Sequence, residues 1–176
     1  MQARHALAQL YEARRDTEAA LAAYQGILER DPRNIMLLNH IGEIFILKEE
    51  GAKAKELFER AKEIAPSHPA ACLWLALMAE EASDYAEAAK QVRDSAALSE
   101  DAALNLRLSY YLTQDGKLSE AVDVLDGAQK RWPENEEVAY FLGLGLDDLK
   151  RTAPAAAMME KVLKLKPGHR DALFQL

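Results

Sequence analysis

The sequence predicts an all-α protein assembled from a repeated pair of antiparallel helices, and three observations carry that expectation. Prolines recur at a fixed interval: Pro66 follows Pro32 by 34 residues, and Pro167 follows Pro133 by 34. Apolar residues recur at spacings of three and four, which place side chains on one helix face. Short polar stretches, RRD, KEEG, ASD, QDGK and KRT, interrupt that pattern midway between the joints.

Cut two residues after each Pro32-type position, the chain divides into segments 1–34, 35–68, 69–101, 102–135 and 136–169, with 170–176 as the start of a further helix. The first helix of each segment carries Leu7, Ile41, Leu75, Leu108 and Leu142 at one position and Ala8, Gly42, Ala76, Ser109 and Gly143 at the next. Three residues on stand Tyr11, Phe45, Ala79, Leu112 and Leu146. The second helix carries a small residue, Ala20, Ala54, Ala88, Ala121 or Ala155, and four residues later a bulkier one, Tyr24, Phe58, Val92, Leu125 or Met159. Small facing large lets two helices approach closely and interdigitate.

The turns have their own chemistry. Asp84 with Glu87 reads as a capping box. Gly116 suits a helix end that needs positive φ. Thr152 reads as an N-cap that puts Pro154 in the first turn, where proline is tolerated. Each segment thus becomes two helices of about 14 residues. At the joints, proline stops the second helix and redirects the chain. Segment 69–101 has Glu100 where proline is due and is one residue short. That predicts an irregular step between the third and fourth segments.

Taken together, these positions resemble the tetratricopeptide repeat family over nearly the whole chain. Segment 35–68 matches best, with Leu38, Ile41, Gly42, Phe45, Ala54, Phe58, Ala61 and Pro66 at the signature positions; segment 69–101 departs most, at Cys72, Ala79, Val92, Ser95 and Glu100. The resemblance implies a right-handed superhelical solenoid whose first helices line a concave binding groove. It also implies the usual ligand, an extended peptide or a helix of another protein. The pentatricopeptide hairpins, which bind RNA, fit less well, because the chain is acidic and carries the Pro32-type punctuation.

The face opposite the packing signature carries the candidate partner-binding residues. Leu73 with Leu77, Leu106 with Tyr110, and Tyr140 with Leu144 are apolar pairs at i, i+4 in segments three to five. In segment two that face holds Met36, Asn39 and Glu43, and in segment one Gln2, His5 and Gln9. The groove is therefore expected to be apolar towards the C-terminal half and polar towards the N-terminal half. Glu12, Glu80 with Glu81, and Asp147 with Asp148 are expected to rim it. An exposed apolar surface of this kind marks an interaction site; the alternative is that the pairs pack between neighbouring first helices. Some family members clamp a carboxylate with Lys, Asn and Arg. Here those positions hold His5, Gln9, Asn39, His40 and Trp74, with Arg107 the sole fixed cation, so the resemblance does not extend to that clamp.

A formal charge of −7 disfavours nucleic acid, and no apolar run is long enough to span a membrane. No catalytic, cofactor-binding or metal site is predicted. Cys72 lies in an apolar run, the four histidines lack metal-ligand spacing, and there is no glycine-rich phosphate loop. A lone cysteine gives no sign of an oxidising compartment, which favours the cytoplasm. The expected partner is a protein or peptide with an apolar or amphipathic segment and basic flanks. Two alternatives stay open: a recruiting arm cut from a larger enzyme such as a transferase, and a scaffold that self-associates through uncapped ends. The helix pattern begins and stops mid-helix, which predicts a fragment of a longer chain.

Overall fold

The structure, a computed structural model, describes residues 2–175, apart from the side chain of Gln2. The groove side chain expected at Gln2 and the terminal Leu176 lie outside the described residues. The chain divides into two compact units, residues 1–78 and 79–176. All regular structure among the described residues is helical.

The first unit contains α1 (Gln2–Ala13), α2 (Thr17–Leu28), α3 (Ile35–Leu47), α4 (Gly51–Ile64) and most of α5 (Pro69–Glu81). Its core is one cluster running from Ala8, Ala20 and Tyr24 through Leu38, Ile41 and Phe58 to Ala71 and Leu75. Close helix approach explains the small residues. A Cβ placed on Gly42 would stand 2.6 Å from the Phe58 ring, so glycine is what lets α3 and α4 touch. Trp74 stacks on Phe58 with ring centroids 5.7 Å apart.

The second unit contains the end of α5, α6 (Tyr85–Asp94), a 3-10 turn (Ala96–Ser99), α7 (Ala102–Gln114), α8 (Leu118–Arg131), α9 (Glu136–Asp148), α10 (Thr152–Leu165) and α11 (Arg170–Phe174). One core cluster joins Val122, Leu125, Val138, Leu142 and Ala155. Another joins Ala139, Met159, Val162 and Ala172, which seats α11 on α10.

One turn type closes every helix pair. Arg15, Glu49, Ser83, Gly116 and Lys150 all have φ between +58° and +75°. The next residue's N–H then bonds back to the carbonyl of Tyr11, Phe45, Ala79, Leu112 or Leu146 respectively. This is the left-handed helix stop with its 6→1 bond. Only Gly116 meets the left-handed requirement without a Cβ penalty.

The proline joints are equally uniform. Asn34, His68, Asn135 and His169 each donate a backbone N–H to the carbonyl three residues earlier, so the proline sits at the second position of a β-turn. Asn34, Asn135 and His169 then cap the following helix with a side-chain acceptor. Between α6 and α7, where proline is missing, the build differs. Ser95 is extended, α6 stops after 10 residues rather than about 14, and the 3-10 turn fills the gap. The buried amide of Asn105 holds that turn, donating to the carbonyls of Leu98 at 2.7 Å and Asp101 at 2.9 Å.

Two cap expectations need correction. Asp84 does cap α6, but its own N–H goes to Ala79, so the reciprocal half of the capping box is not made. Glu87 instead accepts from Lys90 and Gln91. Thr152 is the first helical residue and Arg151 precedes it without a side-chain cap, although Pro154 does fall in the first turn of α10.

Candidate functional site

The predicted groove residues fall into the two units. In the first, Met36 is 77% exposed on the opening turn of α3, and His5 and Gln9 are exposed on α1. Asn39 is not an open groove residue. It is buried, its amide donating to the Ile35 carbonyl at 3.0 Å and lying 3.3 Å from His68 Nδ1. Its side-chain position makes it a local brace, because a buried amide is stable only where partners are in reach. Glu43 is half-buried and accepts from the Trp74 indole N–H at 3.1 Å. Leu73 and Leu77 are half-buried on the part of α5 that belongs to this unit.

In the second unit, Leu106, Tyr110 and Leu144 come together. They line a cavity of about 390 Å³ between α7 and α9, floored by Leu118, Ala121, Val122 and Leu125 of α8. Tyr110 is 45% exposed at its mouth, and so is Phe141 at 47%. Phe141 is a cavity residue that the i, i+4 pairing of Tyr140 with Leu144 does not predict. That pairing puts both on the open face, whereas Tyr140 packs on His169, with ring centroids 4.8 Å apart. The signal was present: Phe141, Leu144, Gly145 and Asp148 share the spacings of one helix face. Gly145 lies in the wall because a Cβ there would meet Val122 at 2.8 Å. Ser109 and Thr113 soften the lining, and Asp148 stands at the end where α7 and α9 finish.

The acidic rim is smaller than the sequence suggests, because several acids are engaged internally. Glu12 of α1 accepts from the Tyr24 phenol at 2.6 Å and lies 3.1 Å from His40 Nε2 of α3. Burial alone would raise the Glu12 carboxyl, but the hydrogen bonds from Tyr24 and His40 hold it below the usual carboxylate range. Burial and the Glu12 acceptor push the Tyr24 phenol well above the ordinary tyrosine range. The second unit repeats the arrangement with Glu80, which accepts from Tyr111 and from Arg107 of α7. Burial, then the bond to Glu80, raises the Tyr111 phenol to about 12. Glu81, Asp147 and Asp148 remain as exposed acids on these helices.

Cys72 is buried and donates to the Pro66 carbonyl at 3.6 Å. Among the described residues, no cluster of His, Cys, Asp and Glu is placed to hold a metal, and no helix is long and apolar enough to cross a membrane.

Residues 5–69, 75–136 and 106–170 match the tetratricopeptide repeat family model. No curated protein sequence matches the chain. Among solved structures, the chain is similar to YrrB, a tetratricopeptide repeat protein with an unusual peptide-binding site, at TM-score 0.72 and 22% identity over 97% of this chain and 89% of that one. It is similar to MamA at TM-score 0.73 and 16% identity, covering 99% and 95%. Residues 41 to the end of MamA from Desulfovibrio magneticus RS-1 give TM-score 0.70 and 18% identity, covering 96% of each chain. At these identities the likeness is one of fold. The three family matches together span most of the chain, which belongs to the tetratricopeptide repeat family and has its all-α solenoid of antiparallel helix pairs.

Proposed function

We propose that this chain is a non-enzymatic protein-interaction module, made of five repeats at 1–34, 35–68, 69–101, 102–135 and 136–169. It holds an apolar or amphipathic segment of a protein partner against its first helices. The observation that carries this reading is the α7–α9 cavity, apolar in its floor and flanked by the half-exposed rings of Tyr110 and Phe141. Such a cavity is a poor resting state in water and a good receptor for an apolar anchor. Each buried anchor contributes roughly 1.5–3 kcal/mol, so two or three offset much of an association cost of about 4–15 kcal/mol. Met36, Leu73 and Leu77 are separate candidate contacts on the first unit, and basic flanks on the partner suit Glu81, Asp147 and Asp148 of the second. The peptide-binding site reported for YrrB is in keeping with this use of the fold.

Replacing Tyr110 and Phe141 together with Asp tests the reading, since both side chains are about half exposed and neither is a core residue. Binding of amphipathic peptides, followed by fluorescence anisotropy, should be lost while helicity is kept. Undiminished binding by the double variant would sink the proposal.

A second reading, self-association, has its own observation. Leu7 and Leu10 of α1 are 44% and 45% exposed, whereas Ile41 and Ile44 at the matching positions of α3 are buried. In α3 that face lies in the shared core with α2. The surface that fits α1 is therefore of second-helix type, and Leu165, Leu173 and Phe174 leave such apolar surface open near α10 and α11. Two copies joined in this way form a heterologous, head-to-tail contact.

A further inference from the structure

The α7–α9 cavity has two unlike ends. On α7 its lining passes from Leu106 through Tyr110 to Thr113, and on α9 from Phe141 and Leu144 to Asp148. Separated by two short reversals around α8, the two helices run the same way, so both lining series become polar at the same end. Three sources of negative potential coincide there. Asp148 lines the cavity, Asp147 is exposed beside it, and the C-terminal ends of two helices carry roughly half a negative charge each. The cations nearest in sequence, Lys117 and Lys150, stand in the turns beyond the helix ends, and Lys117 is already engaged by Asp115 at 2.8 Å. At the opposite end the acids are engaged or offset: Asp101 caps α7 by accepting from the Ala103 N–H at 2.8 Å, Lys166 holds Glu136 at 2.6 Å, and the helix N-termini offset the exposed Glu100, Glu134 and Glu137.

Resting on the interaction reading above, we infer that the partner is an amphipathic helix with one large apolar anchor and a Lys or Arg one turn away. The anchor enters between Tyr110 and Phe141, and the cation stands over Asp147 and Asp148. A helix is the occupant that fits a trough between two parallel helices, because residues one turn apart then share its buried face. An anchor side chain fills the apolar floor, and the cation falls where the floor gives way to carboxylates. Complementary charge at this rim governs choice of partner and rate of association more than total affinity.

Two synthetic helical peptides test this, each with one Trp anchor and one charged residue four positions away, Lys in the first and Glu in the second. Native protein should bind the Lys peptide about three- to fivefold more tightly at low salt, with the preference shrinking in high salt. A protein carrying both D147K and D148K should prefer the Glu peptide. The distant exposed change E160K, of the same sign, should keep the native preference and so exclude a mere effect of net charge. Replacing Trp by Ala in either peptide should abolish binding. Equal affinity for the two peptides, or a preference that D147K with D148K fails to reverse, overturns the placement of the cation and leaves the apolar groove standing. Failure of both peptides to bind at millimolar concentration, or binding indifferent to the Trp, overturns the groove reading itself.

Discussion

The phenol of Tyr111, fully buried on α7, donates its hydrogen bond to the carboxylate of Glu80 on α5. Tyr24 and Glu12 make the same kind of bond in the first unit. In each case the acid also meets a basic side chain of the next first helix, His40 or Arg107. Tyr24 stands at the recurring bulky position of a second helix, whereas Glu12, Glu80 and Tyr111 belong to no signature position. Glu12 with His40 links α1 to α3, and Glu80 with Arg107 and Tyr111 links α5 to α7, so in each unit an acid ties one first helix to the next.

Tyr111→Phe removes the donor but leaves Glu80 its Arg107 partner. The expected cost is about 1–2 kcal/mol in urea unfolding, the usual worth of a buried bond to a charged acceptor. The phenol's folded value of about 12 lies above its unfolded value of about 10. Its contribution is therefore complete below about pH 10 and is lost as pH rises through about 12. Tyrosinate absorbance of the folded protein should show a late-ionising class that Tyr111→Phe diminishes.

Glu12 gives the opposite pH dependence. Its folded carboxyl lies below the unfolded value, so its contribution is present above about pH 4.3 and is lost as pH falls through the folded value. Urea midpoints measured between pH 2 and pH 6 should fall more steeply for the native protein than for Glu12→Gln. Equal slopes would show that the Tyr24 and His40 bonds do not favour the ionised form.

The left-handed turns offer stabilisation. Ser83 and Lys150 take positive φ, which costs a non-glycine residue roughly 1–2 kcal/mol, while glycine adds about 0.5–1 kcal/mol of unfolded-state entropy. Ser83→Gly and Lys150→Gly should each raise stability by about 0.5–1 kcal/mol. Gly116→Ala should lower it by a similar amount. Thermal unfolding of the three variants checks the set.

Two glycines on first helices should respond differently to alanine. At Gly42 the new methyl would meet the rigid, buried Phe58 ring at 2.6 Å, and overpacking of about 1–3 kcal/mol is expected. At Gly143 the nearest atom, at 2.7 Å, is the mobile end of Met159, and the helix gains about 1 kcal/mol of propensity. Gly143→Ala should come out near neutral by denaturant titration.

If α1 mediates self-association, Leu7→Glu with Leu10→Glu should abolish any concentration-dependent rise in mass seen by light scattering. A strict monomer at millimolar protein would contradict that reading before any variant is made.

The sequence by itself determined the helix pairs, because that information is local. Proline position, the turn stretches and the three-and-four spacing act within a few residues, and each repeat restates them. It also marked the joint without proline, since a missing Pro and a missing residue can be counted. Only tertiary structure decided how the groove face is divided. Tyr140 and Phe141 are adjacent on α9 and leave it on different sides, and the neighbouring helices decide that the first meets His169 and the second borders the cavity. Asn39 reads as a polar groove residue until His68, 29 positions later, closes over it. The acids of the rim were legible as charges, but their hydrogen-bond partners come from other helices. Periodicity specifies which way a side chain leaves its own helix. What it meets there is set by the neighbouring helix, and no spacing within one repeat encodes that.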